Sequence, residues 1–331
     1  MKSKLLVAAA LAVAALSACS SSGSGGGDSH KVAIVGFSVL KPGYDALIKA
    51  FQATPDGKGV SFSESFGASG SQSKAVSSGQ PADYVGLSLE PDMTKLVPDF
   101  VDSGWNSGAT KGIASTSVVV IAVRPGNPLG IKGWDDLIKP GVKIVTPDPA
   151  TSGSAKWNIL AVYEHTLQTG GTEADAKTFL TAFFKNVVSK PASGADATTA
   201  FLQGTGDVLI SYEDDAIVAR QSGKALDYIV PTDTFKIENP VAVTKTASPP
   251  ASKFLDFVES DAGQKVLAAE GFRPLNEADV PTEVDGANDP ANPFPAVDKL
   301  VSVADIGGWD AVNKKFFDPD TGIVTQIEGT G

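Results

Sequence analysis

Three clusters of small residues each stand directly before a predicted helix. They are GASGS at 67–71, TSGS at 151–154 and SGA at 193–195. The first turn of a helix carries backbone N–H groups without intrahelical partners, and the helix dipole adds positive potential there. Small residues let a ligand approach these donors, so each cluster can bind an anion without Lys or Arg. Ordinary N-capping also explains any single cluster, because Ser and Gly are common N-cap residues.

The elements that must position these clusters alternate along the chain. A short apolar run at 32–37 predicts a buried strand, and apolar residues spaced i, i+3, i+4, i+7 from Tyr44 to Phe51 predict a helix. Further strands are predicted at 118–123, 142–145, 208–211 and 226–230, and further helices at 176–184, 198–203 and 213–221. This alternation indicates an α/β fold with a mostly parallel sheet covered on both faces. The length favours two lobes over one.

Catalytic and metal chemistry have few candidate residues. The chain has one Cys and two His, too few for a disulfide framework or a Cys/His metal site. A secreted serine hydrolase would have to use His165, which we expect to be a partly exposed residue of a helix, and there is no G-x-S-x-G motif. The acids at 213–215 suggest either a cation site or a helix start that interacts with its dipole. The four Trp residues predict packing positions. Taken together, these residues lead us to expect neither an enzyme nor a cofactor or metal.

Length and charge restrict the class of protein further. The chain has 331 residues, 42% hydrophobic, which is ordinary for a globular protein, and a formal net charge of −11. Nucleic-acid binding needs a basic face and is therefore not expected.

The N-terminus predicts an exported lipoprotein. Lys2 and Lys4 precede a 12-residue apolar run at 5–16, which is too short to span a bilayer. The next residues, LSAC, place the chain's single Cys at position 19, and this pattern resembles a lipobox. The resemblance implies a signal peptide at 1–18, cleavage before Cys19 and lipid attachment to its sulfur. Residues 19–29 read as a Gly/Ser tether, and the mature chain has a net charge of −13.

Several longer segments resemble the periplasmic sulfate-binding proteins of ABC importers. The most specific is KGWDDLIKPGVKIVTPDPATSGSAKWN at 132–158. Others are Ser38 with its following loop, GASGSQSKAV at 67–76, STSVVVIAVRPGNP at 115–128, FKNVVSKPASGADATTAF at 184–201, GDVLISYEDDA at 206–216, ENPVAV at 238–243, AGQKVLAAEGFRPLN at 262–276 and GGWDAVNKKFF at 307–317. The resemblance runs from about residue 32 to the C-terminus.

The resemblance implies a two-lobed, type II venus-flytrap fold that holds a dehydrated oxyanion in the cleft through neutral donors. Its binding positions fall at Leu40, Ser69, Ser152, Gly153, Ser154, Ala195 and Tyr212. Four departures stand out. Leu40 replaces an Asp, Ser154 replaces a Gly, Tyr212 replaces a Trp, and Asp196 replaces an Arg. The Asp196 carboxylate would bring negative charge near the anion unless it caps its helix or faces solvent.

We therefore expect a monomeric binding protein on the outer face of the cytoplasmic membrane, attached through lipid alone. It would deliver sulfate to the permease of an ABC transporter. Thiosulfate, molybdate and phosphate remain open as ligands, and a secreted serine hydrolase is the alternative of another class. The predicted first lobe comprises residues 30–116 and 242–331, and the second comprises 117–241.

Overall fold

The computed structural model describes residues 30–329. The predicted signal peptide, Cys19 and the tether lie outside the described residues, so these stay predictions. Within residues 30–329, no helix is both long and apolar enough to cross a membrane.

The described chain folds into ten strands and eleven α-helices. The strands are β1 Lys31–Phe37, β2 Ser61–Gly67, β3 Tyr84–Gly86, β4 Ile113–Val123, β5 Ile144–Val145, β6 Val187–Ser189, β7 Val208–Tyr212, β8 Asp227–Ile229, β9 Asp233–Val243 and β10 Lys299–Val301. The helices are α1 Lys41–Gln52, α2 Ser69–Ser77, α3 Glu90–Thr94, α4 Gly153–Gln168, α5 Glu173–Asn186, α6 Gly194–Leu202, α7 Glu213–Gln221, α8 Pro249–Glu259, α9 Asp261–Ala269, α10 Gly308–Val312 and α11 Ile323–Glu328. Short 3₁₀ turns cover Ser38–Leu40, Trp134–Ile138, Glu277–Asp279 and Ala304–Ile306, and a π turn covers Asn313–Phe317.

All strands share one continuous sheet in the order β2-β1-β3-β9-β4-β7-β5-β6, with β10 beside β9 and β8 beside β4. The pairs at its two ends, β2-β1-β3 and β7-β5-β6, are parallel, as the alternation of strands and helices predicts. In the middle, β9 runs antiparallel to β3 and β4, and β4 runs antiparallel to β7. The prediction of a mostly parallel sheet is therefore wrong at the centre, because neither of the two long strands follows its sheet neighbour through a βαβ crossover.

The two long strands connect the two lobes. We call the part built on β1–β3 the first lobe and the part built on β5–β8 the second lobe. β4 pairs with β9 up to Val118 and with β7 from Val119 onward. β9 pairs with β4 from Lys236 to Pro240 and with β3 from Val241. The predicted crossings near Ser117 and Val241 thus fall within strands that belong to both lobes.

Apolar residues of β1 and the helices beside it build the core of the first lobe. Leu47 and Phe51 face inward from α1, as their helical spacing predicts, and are almost fully buried. Phe254 of α8 packs edge-on against Tyr44, Phe51 and Tyr84, with ring centroids 5.3 to 6.2 Å apart. Aromatic clusters of this kind add to the stabilisation from burial alone.

The C-terminal segment crosses back to the second lobe. β10 pairs with the start of β9, and the Phe316 ring lies 4.8 Å edge-on from Tyr163 of α4. Lys315 forms an ion pair with Glu173 of α5, and Lys190 forms one with Glu328. The predicted boundaries, which keep 242–331 in the first lobe, did not include this third crossing.

Candidate functional site

The three small-residue clusters form helix starts that meet where the lobes touch. α2 begins after Ala68, α4 after Ser152 and α6 after Ser193. The Gly70 N–H of α2 donates to the Thr151 carbonyl at the start of α4 over 3.2 Å, which joins a first-lobe helix to a second-lobe helix. Two of the starts, α2 and α4, have no capping hydrogen bond from the N-cap side chain. Their first-turn amides are therefore not satisfied by the usual local acceptor.

Ser69 and Tyr212, which the resemblance assigns to the site, are connected through Ser88. The Ser88 N–H donates to Ser69 Oγ over 3.1 Å, and Ser88 Oγ lies 2.8 Å from Tyr212 Oη. Ser69 Oγ in turn donates to a carboxylate oxygen of Asp92 over 2.7 Å. The Ser69 hydroxyl is thus held within the first lobe, so the group it can offer to a ligand is its backbone N–H.

The start of α4 fits the first lobe so closely that Gly153 cannot carry a side chain. A Cβ on Gly153 would lie 2.7 Å from Ser88 Cβ and 2.8 Å from Leu89 Cγ. A Cβ on Gly194 of α6 would lie 3.0 Å from Ser154 Oγ and 2.7 Å from Val39 Cγ2. These close approaches bring backbone N–H groups of different helices together.

The remaining predicted positions meet on the other side of this junction. The Ala195 N–H donates to Ser38 Oγ over 3.3 Å, a long bond between the second and first lobes. Leu40 lies in the same 3₁₀ turn as Ser38, and its buried side chain points toward Gly86, where a Cβ would lie 2.9 Å from Leu40 Cδ1. The structure therefore brings all seven predicted residues, or their immediate neighbours, into one contiguous cluster.

The potential at this cluster comes from N–H and O–H dipoles, and two buried carboxyl groups near it are Asp92 and Asp214. Asp92, almost fully buried behind Ser69, forms an ion pair with Lys95 over 2.9 Å. Burial raises the pKa of Tyr212 far above its usual range, so its hydroxyl keeps its proton and can donate it. Burial likewise raises the pKa of Asp214, which favours its neutral form. Of these two buried carboxyl groups, Asp92 is thus paired with a cation and Asp214 favours its neutral form.

The cluster is a closed junction rather than an open pocket. The side chains of Ser69, Ser152, Ser154 and Tyr212 are each at most 3% exposed. A pocket of about 650 Å³ lies elsewhere, lined by Lys31, Ser63 and Asp83 at the edge of the first lobe. Within residues 30–329, no group of three or more His, Cys, Asp or Glu side chains could hold a metal ion.

Comparison with known proteins decides the family. A family model described as bacterial extracellular solute-binding protein matches residues 33–273. The chain belongs to this family. Its members are extracytoplasmic binding proteins rather than enzymes, so the serine hydrolase alternative is excluded and the expectation of a non-enzymatic protein is confirmed.

Individual relatives cover nearly the whole chain. The sulfate-binding protein of Synechococcus elongatus is 37% identical over 325 residues, which covers 95% of this chain and 91% of the relative. The thiosulfate-binding protein of Pseudomonas aeruginosa is 32% identical over 308 residues, covering 88% and 90%. The solved structure of the sulfate-binding protein SubI from Mycobacterium tuberculosis H37Rv is 43% identical, with a TM-score of 0.81 over 87% of this chain and 99% of that chain. These similarities confirm the family resemblance and the two-lobed α/β fold.

In this solute-binding protein, the expectation for His165 is wrong, whereas the acid at 213 stands at a helix start as expected and has a further partner. His165 is buried instead of partly exposed, with Nδ1 2.6 Å from Asp233 and Nε2 3.1 Å from Asp135. Glu213 is fully buried and forms a bidentate pair with Arg273, at 2.6 and 3.1 Å, besides standing at the start of α7. The sequence could not show these contacts, because each partner comes from a distant part of the chain.

The prediction also missed three groups at the lobe junction. Ser88 belongs to none of the three small-residue clusters, and Ser38 stands only at the start of a matching loop. Trp157 is buried against Phe235 and Trp309, as a packing residue should be, but its Nε1 also donates to Ser88. A small polar residue two positions after a buried strand is the sequence signal that points to Ser88.

Proposed function

We propose that this protein binds sulfate in the cleft between its lobes and delivers it to the permease of an ABC transporter. The observation that carries the proposal is the meeting of the α2, α4 and α6 starts at the predicted positions, none of which is Lys or Arg. Relatives named for sulfate and thiosulfate support an oxyanion as the ligand. Each of the seven donors provides roughly 1.5–3 kcal/mol. Their sum exceeds the roughly 8 kcal/mol that micromolar affinity needs, and the surplus offsets the cost of closure.

The proposed ligand groups are the N–H groups of Leu40, Ser69 and Ala195, the hydroxyl of Tyr212, and three groups at the start of α4. These three are the Ser152 hydroxyl and the N–H groups of Gly153 and Ser154. The Ser152 hydroxyl makes no capping bond to its own helix. It is therefore free to donate to the ligand. The proposed site needs no cofactor.

Selectivity against phosphate rests on the direction of the donors. Sulfate at neutral pH has no proton, whereas phosphate keeps at least one, and a site made of donors leaves that proton unpaired at a cost of about 1–3 kcal/mol. Asp196, the carboxylate closest to Ala195 in sequence, is exposed and accepts a hydrogen bond from Ser193 Oγ over 2.7 Å. This contact supports the expectation that Asp196 serves the cap of α6, where Ser193 is the N-cap, and leaves the donor character of the site intact.

The export and anchoring of the protein are part of the proposal. We infer that residues 1–18 act as a signal peptide and that Cys19 carries the lipid, with 19–29 as the tether. The monomeric folded part would then stand on the outer face of the cytoplasmic membrane, within reach of the permease. In cells, Cys19→Ala would lose the lipidated form while the protein keeps its ligand affinity. A lipid-bearing, fully processed Cys19→Ala protein would contradict the anchor.

Calorimetric titration with sulfate, thiosulfate, molybdate and phosphate tests the ligand. We expect sulfate to bind at least about a hundredfold more tightly than phosphate, with little change between pH 6 and 8. Tighter binding of thiosulfate than sulfate would favour thiosulfate as the ligand. Comparable phosphate binding that disappears in Asp196→Asn would show that Asp196 faces the cleft and would overturn the sulfate assignment.

A further inference from the structure

Ser88 joins the two lobes at the point where Tyr212 replaces the family's indole donor. It follows β3 of the first lobe and is fully buried. Its Oγ lies 2.8 Å from Tyr212 Oη of the second lobe. Trp157 Nε1, also from the second lobe, donates to the Ser88 carbonyl oxygen over 3.0 Å and to Ser88 Oγ over 3.1 Å. Trp157, Ser88 and Tyr212 thus form a series of hydrogen bonds, and only its middle member, Ser88, comes from the first lobe.

The first member of this series gives it a direction. An indole N–H can donate but cannot accept, so Trp157 fills one of the two lone pairs of Ser88 Oγ and offers no acceptor for the Ser88 proton, which leaves Tyr212 Oη as its acceptor. That proton can then be donated to Tyr212 Oη, and an oxygen that accepts a hydrogen bond becomes a better donor itself. The Tyr212 proton can then be donated at the start of α4, where the Ser154 hydroxyl is its neighbour.

This direction matters because a hydroxyl, unlike an indole, can also accept a hydrogen bond. A Tyr212 hydroxyl without a fixed direction could accept the proton that phosphate carries, and the site would lose part of its preference for a fully ionised anion. Donation from Ser88 fills an acceptor site of Tyr212 Oη and leaves the Tyr212 proton to be donated away from Ser88. The replacement of an indole by a phenol is thereby compensated by Ser88 and Trp157.

We propose that Ser88 is a positioning residue that makes Tyr212 a donor and thereby contributes to discrimination between sulfate and protonated oxyanions. This inference rests on the proposed function. The Ser88 hydroxyl makes both of its contacts across the junction, so its effect requires the lobes to be closed around the anion. A residue that merely supported the fold would change the affinity for every anion by the same factor.

Titration of wild type and Ser88→Ala with sulfate and with inorganic phosphate at pH 7 tests the inference. We expect sulfate affinity to fall about tenfold in Ser88→Ala while phosphate affinity stays constant or rises, so that the ratio of the two falls at least tenfold. An equal loss for both anions, or no change in either, would overturn the inference. Wild type that fails to bind sulfate would overturn the proposed function as well, whereas sulfate binding with an unchanged ratio overturns the inference alone.

Two further variants separate positioning from a general effect. Since Ser88 acts through Tyr212, adding Ser88→Ala to Tyr212→Phe should leave the ratio of the single Tyr212→Phe variant unchanged, and a further fall would contradict the inference. Ser73→Ala is the matched control, because Ser73 is equally buried but its hydroxyl donates within the first lobe, to the Asp92 carbonyl over 2.7 Å. A lowered ratio in Ser73→Ala would show that any lost serine hydroxyl has this effect.

Discussion

α4 and α5 are consecutive helices, but only α5 has a first turn that is capped by its own side chains. At α5, Thr172 Oγ1 accepts from the Asp175 N–H over 3.2 Å and Asp175 accepts from the Thr172 N–H over 2.9 Å, a complete capping box in solvent. At α4, the buried Ser152 makes no such bond. At the α4 start, which we propose serves a ligand, the N-cap side chain thus leaves the first-turn amides without a local acceptor, and burial excludes water.

The largest effect on this comparison should come from Gly153→Ala at the α4 start. The added Cβ would lie 2.7 Å from Ser88 Cβ and would hold the lobes apart. We expect sulfate affinity to fall more than about 150-fold, because overpacking costs up to about 3 kcal/mol and the bonds across the junction are lost as well. Calorimetry measures this loss. Gly133→Ala is the control, since a Cβ on Gly133 would meet no atom within 4 Å and its affinity should match wild type.

A smaller loss should follow from Ser152→Ala, which deletes one donor without adding bulk. A charge-assisted hydrogen bond is worth roughly 1.5–3 kcal/mol, so we expect a decrease in sulfate affinity of about 10- to 150-fold. Because Ser152 does not cap α4, the melting temperature of the ligand-free protein should hardly move. A clear fall in melting temperature at unchanged affinity would mean that Ser152 serves the helix and not the anion.

The far end of α4 offers a pH-dependent contrast to its start. Burial disfavours the charged form of His165, but the hydrogen bonds to Asp233 and Asp135 outweigh it and raise the pKa of His165 above its usual value. This contribution to stability is complete at pH values below the ordinary His pKa and is lost as the pH rises through the raised one. His165→Gln should therefore lower the unfolding free energy by roughly 1.5–3 kcal/mol at pH 6 and by less at pH 9. Urea unfolding at both values checks this, and an equal cost at the two would contradict it.

The smallest effect should come from the α5 start, where Thr172→Ala removes a cap and nothing else. We expect a loss of about 1 kcal/mol in unfolding free energy, the usual value of an N-cap. Sulfate affinity should stay at the wild-type value, since α5 supplies none of the proposed donors. If Thr172→Ala weakened sulfate as Ser152→Ala does, the contrast between the two helix starts would not hold.

Much of the framework could be predicted from local patterns. The boundaries of α7 match the prediction residue for residue, and β1 and α1 lie where their apolar spacing places them. These elements follow from a period of 2 or 3.6 residues, which sequence displays directly. The antiparallel course of β4 and β9 could not be predicted in this way, because strand direction depends on partners more than a hundred residues away.

The residues of the candidate site likewise differ in whether local sequence can show them. Ser152 and Ala195 belong to helix starts and could be found from their neighbours in sequence. The role of Ser88 could not be found in this way, because its contacts with Tyr212 and Trp157 exist only once the two lobes meet. The Trp157 indole shows the same limit, since its apolar spacing predicts burial but says nothing about what its N–H reaches.

The placement of β9 also determines when the protein can fold. Val85 in β3 pairs with Ala242, so the sheet of the first lobe lacks an interior strand until almost three quarters of the chain is available. Pairing over such separations carries a high loop-closure cost and slows folding. β3, one of the earliest strands to be synthesised, must therefore wait without its second neighbour. This delay favours any process that requires a non-native polypeptide before the first lobe is complete.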